Sequence, residues 1–300
     1  MKRDLLRRCT AGLAAASFIL VHPVRAQDPL PPAQHDRPAK NVILFIGDGM
    51  GVSTVTAARI YDGQLRGEFG EENLLSFEHF ASLALVKTYN TNQQVPDSAG
   101  TATAINTGVK TRAGAIGVGP AAEIGNCTQS LANRLPTAAE LLAQRGKAIG
   151  IVSTARITHA TPASVYSRSA DRDWEADTNI PADQQGQGCK DIALQLAESQ
   201  FDVALGGGTA VFYGKDKERS GRRIDAGADL PRAWAATNGG TVVKTAAELA
   251  AAPMDKPVLG LFNPGHLTFM ADRKPDSPEP TLTDMTAQAI TRLKADPDGF

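Results

Sequence analysis

Histidine is scarce in this chain: five in 300 residues, with only His79, His159 and His266 beyond residue 39. That leaves little imidazole to activate a nucleophile, and no Gly-x-Ser-x-Gly elbow surrounds the candidate serine described below. Long apolar runs are missing as well. A membrane span needs about 20 apolar residues, and the stretch from Cys9 to Val21 falls short of that. Cysteine is limited to Cys9, Cys127 and Cys189. Basic excess is absent too, because 31 Lys and Arg face 32 Asp and Glu. Bulk electrostatic binding of nucleic acid or an anionic membrane is therefore not expected. No internal repeat or long low-complexity tract appears. At 42% hydrophobic and 21% charged residues, with a mean hydropathy of -0.20, the composition is that of a globular protein.

What is present begins with an export signal. Lys2, Arg3, Arg7 and Arg8 precede the apolar Cys9–Val21 stretch, and Val24-Arg25-Ala26 has the small-x-small form of a cleavage site. Residues 1–26 are read as a signal peptide, residues 27–39 as a Pro-rich linker and residues 40–300 as the functional domain. The mature protein is expected outside the cytoplasm, periplasmic or secreted, with no stable membrane insertion. Removing residues 1–26 takes away five basic residues and one acidic one. That leaves 26 basic against 31 acidic, a formal charge of -5. A phosphate-bearing ligand would then need local positive charge from metal ions or single arginines. Cys127 and Cys189 remain, and an oxidising compartment favours one disulfide between them over two buried thiols.

Short apolar runs ending in Gly, Ser, Thr or Asn recur at 41–47, 82–89, 148–154, 201–208 and 257–263 and read as buried parallel strands. Helical patterns lie between and around them, at 53–64, 98–106, 136–146, 190–199, 245–251 and 282–296. Thr137 and Glu140 form a capping box, and Gly146 ends that helix. The alternation predicts a doubly wound α/β fold, a three-layer sandwich around a largely parallel sheet, with its chemistry at the carboxyl ends of the strands. After the last helix, "PDGF" turns toward what should be another strand. The domain is expected to be incomplete at its C-terminus.

Two stretches carry the chemistry. "FIGDGMG" places Asp48 at a strand end with Gly47, Gly49 and Gly51 around it, where it is either a turn residue or an accessible carboxylate. "PDSAGTATAINTG" sets four hydroxyls on a helix behind Asp97. Ser98 is the best of the four, because it sits at the helix start, where partial positive charge favours an ionised oxygen and an incoming anion. It also has a bland reading as an N-cap. Thr101, Thr103 and Thr107 fall further in, where hydroxyls bond back to the backbone. With imidazole scarce, a metal-bound alkoxide is the remaining route to a nucleophile.

These pieces, with "ITHATPASVYSRSADRDW", "FDVALGGG" and "LGLFNPGH" in the same order, resemble the alkaline phosphatase family from Asn41 to Phe300. The resemblance implies hydrolysis of phosphate monoesters by a homodimer that uses two zinc ions and one magnesium. It implies that Ser98 is the nucleophile and zinc ligand, becoming phosphoserine. Asp48 bridges a zinc and the magnesium, and Arg172 binds phosphate with Asp97 orienting it. It places His159 and Thr161 at the magnesium site. Some members carry Asp in place of His159, and an imidazole there softens the site toward zinc or cobalt. Cys127 and Cys189 match a disulfide found in part of the family. His79 and His266 match no ligand position. Arg168 is read as a structural salt-bridge partner. The family's other ligands, two Asp and His pairs, a later His and a Glu, would all follow Gly299-Phe300, so the 300-residue chain is expected to be inactive alone. Two rival readings are a phosphodiesterase or sulfatase on the same metal core, and a non-catalytic metal or phosphate binder.

Overall fold

The computed structural model describes residues 39–300, and the signal peptide and all of the linker but residue 39 lie outside the described residues. Four strands form one sheet: β1 (Gly150–Arg156), β2 (Val203–Gly207), β3 (Thr241–Val243) and β4 (Val258–Leu261). Their order is β1-β2-β4-β3 and every pairing is parallel, with Gly150 opposite Val203, Val203 opposite Val258, and Thr241 opposite Val258. The two central strands are buried along their whole length. Strands covered on both faces need apolar residues at successive positions, which explains the continuous runs "VALGG" and "VLGL".

The helices are α1 (Val52–Leu65), α2 (Ser98–Thr107), α3 (Cys127–Ala132), α4 (Ala138–Ala143), α5 (Ala160–Ala163), α6 (Ile192–Glu198), α7 (Thr209–Phe212), α8 (Leu230–Asn238), α9 (Ala246–Ala251) and α10 (Leu282–Leu293). Successive strand residues point to opposite faces, so the core divides in two. On one side Ile151, Ala204 and Leu259 pack with Leu196 of α6 and Trp234 of α8. On the other, Val203, Leu205 and Val258 pack with Leu249 of α9 and with Met285 and Leu293 of α10. Helices therefore cover both faces of a parallel sheet, the three-layer α/β arrangement expected from the alternation.

Two expected strands are not formed. Residues 41–47 and 82–89 carry no strand, and Leu83, Leu85 and Val86 are 94%, 97% and 78% exposed. A strand exists only as a partner in a ladder. Among the described residues, the segment at 41–47 meets the rest of the chain through single bonds, such as Val42 N–H to the Phe300 carbonyl at 2.8 Å. The three-residue β3 was not anticipated, nor were α3, α5, α7 and α8. Helix α4 starts as foreseen: the Thr137 hydroxyl accepts from Glu140 N–H, and the Glu140 carboxylate accepts from Thr137 N–H at 3.0 Å. Cys127 and Cys189 form a disulfide that packs with Ala170 and Trp174, on either side of Arg172. Among the described residues no helix is long and apolar enough to cross a membrane.

Candidate active site

Helix α2 begins at Ser98, but its cap is Asp97. Asp97 Oδ1 accepts from Gly100 N–H at 3.0 Å and from Asn90 Nδ2 at 2.7 Å. Oδ2 accepts from Gly114 N–H at 2.9 Å and from Arg172 Nη1 at 3.1 Å. Burial alone would raise the Asp97 carboxyl, yet the bonds from Gly100, Gly114, Asn90 and Arg172 outweigh it and hold the group below its ordinary range. With the capping done by Asp97, Ser98 occupies the first helical position with its hydroxyl free of that duty. The N-cap reading of Ser98 is thereby corrected. Thr101 and Thr107 donate to the carbonyls of Asp97 and Thr103, as foreseen, whereas Thr103 reaches across to the Ala115 carbonyl.

Glycine at position 100 is required by the approach of Asn90. A Cβ there would lie 2.7 Å from Asn90 Nδ2, closer than real Cβ contacts come. Small residues at the helix start thus let a buried amide reach Asp97.

The guanidinium of Arg172 is held at both prongs. Nη1 donates to Asp97, and Nη2 lies 3.0 Å from His159 Nε2. Its backbone N–H donates to the Gly114 carbonyl at 2.8 Å. Burial, then the nearby Arg172 and Arg156 charges, push the His159 imidazole below its ordinary value, so at neutral pH the ring is uncharged and its Nε2 is an acceptor for Arg172. A two-pronged donor fork beside a helix N-terminus suits a tetrahedral oxyanion.

Asp48 is exposed, and its Oδ2 accepts from Thr161 Oγ1 at 2.8 Å. His159 caps α5 and Thr161 lies in its first turn, so this one short helix borders both groups. The His159 ring is aimed at Arg172 instead of the Asp48 and Thr161 pair. Among the described residues no group of three or more His, Cys, Asp or Glu side chains is placed to hold a metal ion. Asp48 and Thr161 offer two hard oxygen donors, which fit part of a magnesium-type site. Zinc needs three or four protein ligands, including nitrogen or sulfur, and that set is not gathered here. Arg168 ion-pairs with Glu140 and donates to the Leu135 carbonyl, a structural role.

The residues that sequence reasoning missed are Asn90 and Gly114, which bind Asp97, and Arg156, Glu175 and His266 behind His159. None stands in a recognisable local pattern, and His266 matches no ligand position of the family.

The family model for alkaline phosphatase matches residues 39–300. The tissue-nonspecific alkaline phosphatase isozyme of Gallus gallus is 45% identical over 279 aligned residues, covering 87% of this chain and 53% of that protein. The crystal structure of Thermus thermophilus alkaline phosphatase superposes with a TM-score of 0.69 at 27% identity, covering 88% of this chain and 49% of that one. A histidine-to-aspartate variant of the TAB5 alkaline phosphatase, with magnesium bound in the M3 site, superposes with a TM-score of 0.61 at 25% identity, covering 86% and 61%. The chain belongs to the alkaline phosphatase family. It spans about half the length of the curated relatives it matches.

Proposed function

We propose that this chain carries the serine and the phosphate-facing half of an exported, metal-dependent phosphomonoester hydrolase that works as a homodimer. The observation that carries the reading is the Arg172 fork, fixed by Asp97 and His159 beside Ser98 at the N-terminus of a ten-residue helix. In the reaction, Ser98 Oγ bonds to phosphorus as the bond from phosphorus to the leaving alcohol breaks, and a proton goes to the alcohol. Water then attacks the phosphoserine and releases inorganic phosphate and the free serine. The N–H groups of Arg172 not engaged by Asp97 and His159 bind the non-bridging oxygens, and Asp97 keeps the fork from swinging. A divalent cation held by Asp48 and Thr161 would supply positive charge favouring an ionised oxygen nearby. Among the described residues the three or four ligands that zinc requires are not gathered.

Turnover of p-nitrophenyl phosphate with zinc and magnesium tests both parts. The 300-residue chain is expected to show none. A chain of the relatives' length, continuing past Phe300, is expected to cleave the monoester well above a diester and to lose turnover and phosphoserine labelling in Ser98→Ala. Turnover by the 300-residue chain would refute the need for zinc ligands beyond the described residues, and full activity of Ser98→Ala would refute the nucleophile.

A further inference from the structure

Behind His159 stands a second polar row that the reaction above leaves unused. Arg156, the last residue of β1, is clasped by Glu175: Nε lies 3.1 and 2.8 Å from the two carboxylate oxygens and Nη2 lies 2.6 Å from Oε1. The Thr158 hydroxyl donates to the same carboxylate. Glu175 is buried, so this clamp is little screened by solvent. Arg156 in turn addresses His266. Its backbone N–H lies 3.1 Å from His266 Nδ1 and its Nη1 lies 2.9 Å from His266 Nε2, and the neutral ring accepts from Arg156 at one of these two nitrogens.

The turn that carries His266 is itself fixed. Leu267 N–H donates to the Thr154 carbonyl at 2.9 Å, and Gly208 and Thr209 N–H both donate to the Asn263 carbonyl. The turn lies so near β2 that a Cβ on Gly207 would sit 2.1 Å from the Gly265 carbonyl oxygen. From this seat the His266 ring meets the His159 ring edge-on, with centroids 5.2 Å apart and planes at 78°. An imidazole rotates broadly about its last side-chain bond, so a ring that must keep one nitrogen aimed at a partner needs a wall. His266 is that wall, and His159 Nε2 is the acceptor that holds Arg172 Nη2.

We propose that His266 is a positioning residue for the phosphate-facing fork: pinned by Arg156 and Glu175, it backs the His159 ring and so keeps Arg172 in the pose that receives a phosphate-type dianion. The inference rests on the phosphatase reading for the meaning of the fork, though not for the contacts. A fork ordered before its ligand arrives binds more tightly, because less side-chain freedom is lost on binding.

Chemical modification of Arg172 by phenylglyoxal, followed peptide by peptide in the 300-residue chain, tests the positioning without any need for turnover. In His266→Ala the Arg172 rate is expected to rise on the order of fivefold, as an ordering contact on a rotamer-rich side chain is lost. His266→Gln, which keeps an acceptor for Arg156, should stay within about twofold of wild type, and the exposed His79→Ala should not move it. Buried Arg223 reports on folding. Should it become reactive in His266→Ala, Glu175→Gln takes that variant's place, loosening the clamp without touching either ring, with a rise of about twofold expected. An unchanged Arg172 rate in folded His266→Ala, or in Glu175→Gln where that stands in for it, while His159→Ala raises it, overturns the proposal. In a chain that hydrolyses p-nitrophenyl phosphate, His266→Ala should raise KM about fivefold with kcat within about twofold. An unchanged KM there also overturns it. Absence of any hydrolysis by the wild-type chain that continues past Phe300 would refute the phosphatase reading and leave the labelling result to decide the positioning.

Discussion

Replacing Asp97 with alanine removes one carboxylate and strands four donors. The α2 cap bond from Gly100 is worth about 1 kcal/mol. Gly114 N–H and the amide of Asn90 then lose their acceptor, and a buried donor left unpaired costs about 1–3 kcal/mol. The lower end applies, because the Asp97 side chain is 21% exposed and water can enter in its place. Arg172 keeps His159 and can turn toward solvent, so its share is about 0–1 kcal/mol. Together the loss should come to about 3–4 kcal/mol. Asparagine is the sharper probe. It preserves the acceptor toward Gly100 and Asn90 but presents an amide donor to Gly114 N–H and Arg172, for a loss of about 2 kcal/mol. Urea unfolding of the 300-residue chain at pH 7, followed by circular dichroism, gives both values if the slope is unchanged. The pH dependence has a fixed sign. Because the folded-state value lies below the ordinary 3.8, the contribution is complete above 3.8 and is lost as pH falls through the lower folded value. The gap between wild type and Asp97→Asn should therefore hold from pH 7 down to about 4 and close below that. A loss under about 1 kcal/mol for alanine, or an asparagine variant as damaged as alanine, would refute the reasoning.

Gly100→Ala should lower the melting temperature despite alanine's better helix propensity, since the new Cβ displaces Asn90 from Asp97. A net loss of about 1–2 kcal/mol is expected, and a gain would show that the approach of Asn90 does not matter. Removing the disulfide with Cys127→Ala and Cys189→Ala opens a link across 62 residues and should cost about 2–4 kcal/mol, read as a lower urea midpoint that matches the reduced wild type. Coincident midpoints for the oxidised and reduced protein would contradict it.

The sheet's interior was legible because burial on both faces imposes unbroken apolar runs: β2 and β4 fall inside the segments expected at 201–208 and 257–263. Segments 41–47 and 82–89 have similar runs but no ladder, because pairing depends on a neighbour that local composition does not encode. Helix α8 did leave local signs, with Asp229 as cap, Pro231 in the first turn and Gly239 in a left-handed conformation after its end. At the site, Ser98 followed from its helix start, whereas Asn90, Gly114, Arg156, Glu175 and His266 did not. Their contacts cross 7 to 110 residues of sequence, and a partner that distant has no periodicity to reveal it.

The two aspartates show what structure adds to residue type. Asp48 and Asp97 each stand beside small residues at the end of an element, and by sequence alone either could be a cap, a ligand or a turn residue. Asp97 has both oxygens filled, each by two donors, so any cation would have to displace bonds that fix α2 and Arg172. Asp48 is exposed and accepts from a neutral hydroxyl, Thr161, which can itself turn an oxygen lone pair toward a cation. Under the proposed function, this hydrogen-bond occupancy supports Asp97 as the carboxylate that orients the arginine and Asp48 as the one that would take a metal. Exchanging the two roles would require α2 to find another cap and Arg172 another anchor.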